Sequence, residues 1–164
     1  MIWLLACAPR NADPAPAAPG ELVILHTNDL HGHYLPEDGV GGLELMDAYA
    51  DAYKAVHPTL MLDAGDVLSG TPLTDLEVRG AQGGAMTELM EAVGYDAWAL
   101  GNHEFDDGDA GLAKFLDHLR TEQCATPVLA ANVKPEVGKS ALAKQSSSDY
   151  LQGSVVLERG GQKI

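Results

Sequence analysis

Three times along the chain a short apolar run stops abruptly and gives way to residues with metal-binding or acid–base side chains. Residues 22–25 are apolar and are followed by His26, Asn28, Asp29, His31 and His33. Residues 60–62 are apolar and lead to Asp63 and Asp66, and residues 97–100 lead to Asn102, His103, Glu104, Asp106 and Asp107. Short, nearly continuous apolar runs predict strands buried on both faces. They place strands at 21–26, 59–62 and 97–100, with a fourth at 128–131 that starts after Pro127 and ends at Asn132.

Between the strands the period changes. Leu43, Met46, Ala50 and Tyr53 fall near helical spacing, so residues 41–57 predict a helix that Pro58 terminates. Met86, Leu89, Met90 and Val93 sit at i, i+3, i+4 and i+7, a second helix stopped by Gly94, with both methionines in its core face. Leu112, Phe115, Leu116 and Leu119 repeat the pattern, with Asp107 or Asp109 as N-cap. Alternating strands and helices predict an α/β fold with right-handed crossovers and a mixed, largely parallel sheet. Such sheets carry their sites at the carboxyl ends of the strands, where the polar clusters lie.

Other segments read less regularly. Residues 69–84 form a Gly-rich excursion in which Pro72 bars a central strand. Residues 134–152 are polar and Ser-rich and read as a loop, residues 154–158 read as a fifth strand, and Gly160-Gly161 reads as a hairpin turn. The second strand of that hairpin is expected to begin where the chain stops, at Ile164, as in a fold that has been cut.

The 164 residues are sized for about one domain, and 46% of them are hydrophobic. A net charge of −14 leaves no basic stripe to meet phosphates, which argues against a nucleic-acid partner. It does not exclude a small anionic substrate, because bound cations reverse the local potential. Cys7 and Cys124 are the only cysteines, so neither a disulfide framework nor a cysteine-based zinc site is available. Cys124 reads as a small buried hydrophobe. Leu4-Leu5-Ala6-Cys7 resembles the lipobox of bacterial lipoprotein signal peptides, and the following Pro/Ala-rich stretch suits a tether. Residues 1–20 are therefore expected to be a signal and tether, with Cys7 lipidated in an exported periplasmic or cell-surface protein. The membrane would be met only through that anchor, since no apolar run approaches about 20 residues.

The polar clusters suggest one site. Asp29 and His31 are two apart, so in an extended segment they point to the same side and can share one ion. Asp66 has two oxygens with which to bridge a pair of cations, and Asn102 offers a neutral carbonyl oxygen. Mixed N and O donors without sulfur suit Mn, Zn, Fe or Mg. Two such ions about 3.5–4 Å apart would clamp a phosphoryl group and activate a water. His26 and His33 read as local hydrogen-bonding residues. Glu104 and Asp63 stay open between orienting neighbours and loop caps, and His57 and His118 read as surface residues.

Asp29-Leu30-His31, Gly65-Asp66 and Gly101-Asn102-His103-Glu104 resemble the first three signature blocks of calcineurin-like metallophosphoesterases. The strings ILHTNDLHGH, LDAGD…SGTPL and GYDAWALGNHEFDDG resemble the branch of 5′-nucleotidases, UDP-sugar hydrolases and 2′,3′-cyclic-nucleotide phosphodiesterases, over residues 22–133. The resemblance implies a four-layer αββα domain and a two-metal phosphohydrolase acting on nucleotides or related phosphate esters. It implies that Asp29 and His31 ligate the first metal, Asp66 bridges, and Asn102 ligates the second. His103 is then the catalytic histidine that stabilises the transferring phosphoryl group, and Asp106 pairs with it.

The family completes its metal shells with later histidines, whereas here none follows His118. The aromatic base-binding domain is also missing. Residues 21–164 are therefore expected to be the N-terminal portion of a catalytic domain, inactive or nearly so by itself. Two other readings remain open: a non-catalytic, lipid-anchored module with a single metal site, and a cyclic phosphodiesterase or sulfur-ester hydrolase of the same superfamily.

Overall fold

A computed structural model describes residues 21–78, 80–121 and 126–164. The expectations for residues 1–20, Cys7 among them, and for Cys124 lie outside the described residues. Strands β1 (Val23–Thr27), β2 (Thr59–Asp63), β5 (Ala97–Ala99) and β6 (Val128–Leu129) form one parallel sheet in the order β1-β2-β5-β6. Helices α1 (Leu43–Lys54), α2 (Gly84–Val93) and α3 (Gly108–Thr121) make the crossovers. Strand order follows chain order, so right-handed crossovers all step the same way and lay the three helices on one face.

The register shows how the alternation is used. Leu25 lies opposite Met61, and Trp98 opposite Val128. Opposed residues of a parallel pair share a face, and these four pack into the core with Met86, Met90, Leu112, Phe115 and Leu116. Trp98 meets Phe115 edge to face, with ring centroids 5.5 Å apart. The other face carries Ile24 opposite Leu60, and Ala99 opposite Leu129. Along it exposure runs from 1% at Leu60 to 52% at Ile24 on the edge strand.

The helix boundaries follow their stop signals. Gly94 ends α2 in the left-handed conformation (φ 74°), and its N–H reaches Met90 O at 3.1 Å, as the sequence predicts. Lys54 at the end of α1 donates to Gly94 O at 3.0 Å and ties the two helix ends together. The first helix is shorter than the expected 41–57. A 3₁₀ turn (His103–Phe105) precedes α3, so Asp107 stands just ahead of the helix and Asp109 lies in its first turn. Within 69–84 the chain makes a small antiparallel pair, β3 (Glu77–Val78) with β4 (Ala81–Gln82).

Residues 134–152 contain no helix or strand, but they are not a solvated loop. Leu142, Ala143, Tyr150 and Leu151 are buried. Arg120 Nη2 of α3 donates to Tyr150 O at 3.0 Å, and its guanidinium lies 4.7 Å over the Tyr150 ring. Gln152 O accepts from Ala130 N at 2.8 Å, which covers the β6 edge. The fifth strand is only β7 (Glu158–Arg159), and its partner β8 (Gln162–Lys163) lies within the chain rather than after it. Gly160 and Gly161 turn the hairpin with φ of 56° and 75°, the sign a two-residue primed turn requires. His118, expected at the surface, is 5% exposed, because α3 presents it to the β3–β4 side where Gly84 leaves room.

Candidate metal and catalytic site

The loops that leave the carboxyl ends of β1 and β2 are stitched together by backbone hydrogen bonds, and the loop after β5 packs against them. Asp29 N donates to Gly65 O (2.9 Å), His31 N to Asp66 O (3.0 Å) and Gly32 N to Val67 O (3.1 Å). Gly65, at φ 102°, lies directly against the backbone of Gly101; a Cβ there would collide with Gly101 N and Cα. Only a glycine permits that approach.

Asp29, His31 and Asp66 are brought together, each offering a donor atom within 4.8 Å of the other two. Asp29 Oδ1 and His31 Nε2 are 3.8 Å apart. The expected extended geometry is not what joins them. Asp29 (φ 53°) and His31 (φ 46°) are both left-handed, as is Asp66 (φ 57°). Among the described residues five non-glycines have positive φ, and three of them are these. Left-handed backbone is disfavoured for side chains with a Cβ, and such strain gathers at functional sites. The turns that satisfy the inter-loop hydrogen bonds aim the two side chains inward.

The donor set fits a divalent ion. Metal–donor bonds of about 2.0–2.2 Å allow two ligands of one ion to lie up to about 4.4 Å apart, so small side-chain rotations close the set. Two carboxylates and an imidazole supply hard and borderline donors without sulfur. Exposure of the Asp29 side chain leaves an entry path from solvent.

His103 stands beside this cluster, its ring 5.0 Å from that of His31 and nearly perpendicular to it. Its Nδ1 lies 2.7 Å from Asp106 Oδ2. That hydrogen bond, with the carboxylates of Asp106, Asp66 and Glu104 adding their charge, raises the His103 pKa above the ordinary imidazole value. The His103 backbone N–H donates to Asp66 Oδ1 at 2.9 Å. Asn102 is exposed at the start of the same turn, in the N-cap position. A cleft of about 240 Å³ beside His103 and Asp106 is lined by Leu68, Ser69, Thr74, Gln82 and Phe115 among others. His33 is paired locally and in the open, Nδ1 to Glu37 Oε1 at 2.8 Å, and His26 is exposed on β1.

Two residues left open by the sequence turn out to be central. Glu104 is 2% exposed and accepts from four backbone N–H groups, those of Asp66, Val67, Leu68 and Gly101. Asp63 is 3% exposed and accepts from Thr27 Oγ1 (2.5 Å) and Gly65 N (2.8 Å). Burial pushes its pKa up to about 6, against the two hydrogen bonds that lower it. Both ends of the site are thus held by acids beneath it. An acidic residue next to a strand end was the only signal for either.

The profile of the calcineurin-like phosphoesterases matches residues 22–162. Among curated relatives, a probable 5′-nucleotidase of Treponema pallidum is 36% identical over 157 residues, covering 88% of this chain and 24% of the relative. The 5′-nucleotidase of Bos taurus is 39% identical over 146 residues, covering 82% of this chain and 24% of the relative. Among solved structures, a 5′-nucleotidase precursor from Thermus thermophilus superposes with a TM-score of 0.67 at 32% identity, over 87% of this chain and 27% of that one. The Haemophilus influenzae NAD nucleotidase gives 0.66 at 30%, over 87% and 25%. The chain spans about a quarter of the length of the proteins it matches.

Proposed function

The chain belongs to the calcineurin-like phosphoesterase family, and from that premise we propose that it carries the first part of a dinuclear phosphohydrolase site of the 5′-nucleotidase type. The observation that carries the reading is the meeting of the Asp29–His31–Asp66 cluster with the His103–Asp106 pair on one three-loop surface. Asp29, His31 and Asp66 would hold the first divalent ion, and Asp66 with Asn102 would contribute to the second. Mn, Zn, Fe and Mg all suit these donors. Such ions supply charge stabilisation for phosphoryl oxygens and lower the pKa of a coordinated water. They also offset the strongly negative charge of the chain for an anionic substrate.

The residues do the rest. Asp106 fixes Nδ1 of His103 as its hydrogen-bonded nitrogen and so leaves Nε2 to donate toward the phosphoryl group or the departing oxygen. The Asp106 hydrogen bond raises the His103 pKa and so favours the protonated ring that the role requires. A nucleotide or related phosphate ester is the substrate best supported, given the 5′-nucleotidase and NAD nucleotidase names among the relatives. The Leu4-Leu5-Ala6-Cys7 string supports export with a lipid on Cys7.

The test is hydrolysis of a nucleoside 5′-monophosphate by the full-length protein before and after a chelator, since residues 21–164 by themselves are expected to be inactive or nearly so. Activity is expected to vanish with metal removal and return with Mn²⁺ or Zn²⁺. Hydrolysis that ignores the chelator would sink the mechanism. One bound ion without hydrolysis in the full-length protein would favour the metal-binding module, the reading the three-donor cluster supports by itself.

A further inference from the structure

We propose that Glu104 is the positioning residue that couples the metal cluster to the catalytic histidine. Its carboxylate lies beneath both loops, 2% exposed, and accepts from four backbone N–H groups. Oε2 accepts from Gly101 N at 2.7 Å and Asp66 N at 3.1 Å; Oε1 accepts from Val67 N at 2.8 Å and Leu68 N at 3.2 Å. Successive N–H groups around a left-handed residue form a concavity suited to an anion, and here the anion is a side chain from the neighbouring loop.

Two consequences follow from this arrangement. The left-handed backbone of Asp66 (φ 57°) is held by the acceptor facing its own N–H, so the Asp66 carboxylate stays aimed into the cluster. That carboxylate in turn accepts from His103 N, while Glu104 holds Gly101, two residues before His103. One side chain therefore fixes the distance between the bridging acid and the catalytic turn. Backbone that is strained at Asp66 persists only because something over-determines it.

Glu104→Gln removes the acceptor from one side of the fork. Whichever way the amide is turned, its NH₂ faces two N–H donors. The expected result is Mn²⁺ binding weakened roughly 10–100-fold and amide exchange at Asp66, Val67, Leu68 or Gly101 accelerated. The activity arm, measured on the full-length protein, rests on the phosphohydrolase reading; there kcat is expected to fall by a similar factor with KM little changed. Val128→Ala, a core truncation in β6, is the control for lost stability alone and should leave Mn²⁺ affinity unchanged.

Unchanged Mn²⁺ affinity in Glu104→Gln, or equal weakening in Val128→Ala, would overturn the proposal. Should Glu104→Gln not fold, the unaltered protein still decides. Its Asp66, Val67, Leu68 and Gly101 amides are expected to be among the slowest-exchanging outside the helices and strands, and fast exchange there overturns the role. A full-length protein that binds Mn²⁺ but hydrolyses no phosphate ester would count against the function reading. In that case the Glu104 inference is decided by affinity and exchange alone.

Discussion

The backbone N–H of His103 donates to Asp66 Oδ1 at 2.9 Å, so the acid proposed to share metal ions also anchors the first residue of the turn that carries the proposed catalytic histidine. The two residues nevertheless act on different things, and their variants should separate. Asp66→Ala removes a donor of the cluster and is expected to abolish stoichiometric metal binding. His103→Ala leaves all three donors and should retain metal, with kcat reduced by about 10²–10⁴-fold, the range for a lost general acid. Metal content by plasma spectrometry beside steady-state kinetics, each on the full-length protein, checks both. Equal metal loss in the two variants would make His103 a ligand.

The His103–Asp106 hydrogen bond, 2.7 Å long, is the largest cause of the raised His103 pKa. Asp106→Asn removes the charge and should bring the ring back toward the ordinary value of about 6.5. The sign fixes the phenotype. A group that acts while protonated loses activity above its pKa, so the alkaline limb of the kcat profile should move to lower pH. NMR titration of the His103 ring in metal-free protein measures the shift directly, without charge from bound ions. An unshifted titration in Asp106→Asn would show that this pair does not set the protonation of His103.

Part of this was legible in sequence and part was not, and the division has a physical origin. The helical period located the helices because burial acts on every third or fourth side chain, and short uninterrupted apolar runs located the parallel strands. The ligand types also stood in order at three strand ends. Asp29 and His31 converge, but not by the extended geometry that their spacing predicts. Their convergence comes from two left-handed residues rather than from strand pleating, and no side-chain pattern announces a positive φ at an aspartate or histidine. Glu104 bonds to backbone N–H groups 36–38 positions away, which carry no side-chain signature. The packing of Leu142, Tyr150 and Leu151 lacks any period, so residues 134–152 read as loop although these side chains are buried.

Glycine at 65 is a matter of space as well as torsion. Gly65→Ala would combine a positive φ of 102° with a Cβ thrust into the Gly101 backbone, which no rotamer change relieves. A loss of about 2–5 kcal/mol is expected from strain and overpacking together. Gly138 offers the contrast, since it has a similar sign (φ 76°) but open space around its Cβ position. Gly138→Ala should cost about 1 kcal/mol from torsion alone. Urea unfolding of both variants tests the difference, and equal losses would mean that the Gly65–Gly101 contact can relax.

Asp63 gives the fold a pH dependence whose sign is opposite to that of a salt-bridged acid. Its folded pKa of about 6 lies above the ordinary aspartate value of about 3.9, chiefly because the carboxyl is buried. Its contribution to stability is therefore fully present below the unfolded value, where the group is protonated in both states. It is lost as pH rises through about 6, and by pH 7 the loss is on the order of 2 kcal/mol. Asp63→Asn keeps an acceptor for Gly65 N–H and never ionises, so the gap between variant and parent should widen in favour of Asn between pH 4 and 7. Other acids titrate alike in both proteins and cancel in the difference. The measurement is urea unfolding of the metal-free proteins across that range; parallel curves would refute the buried-acid account. Adding Mn²⁺ should then narrow the gap at neutral pH, because a cation held by Asp29, His31 and Asp66 stabilises the ionised form of the acid packed behind them.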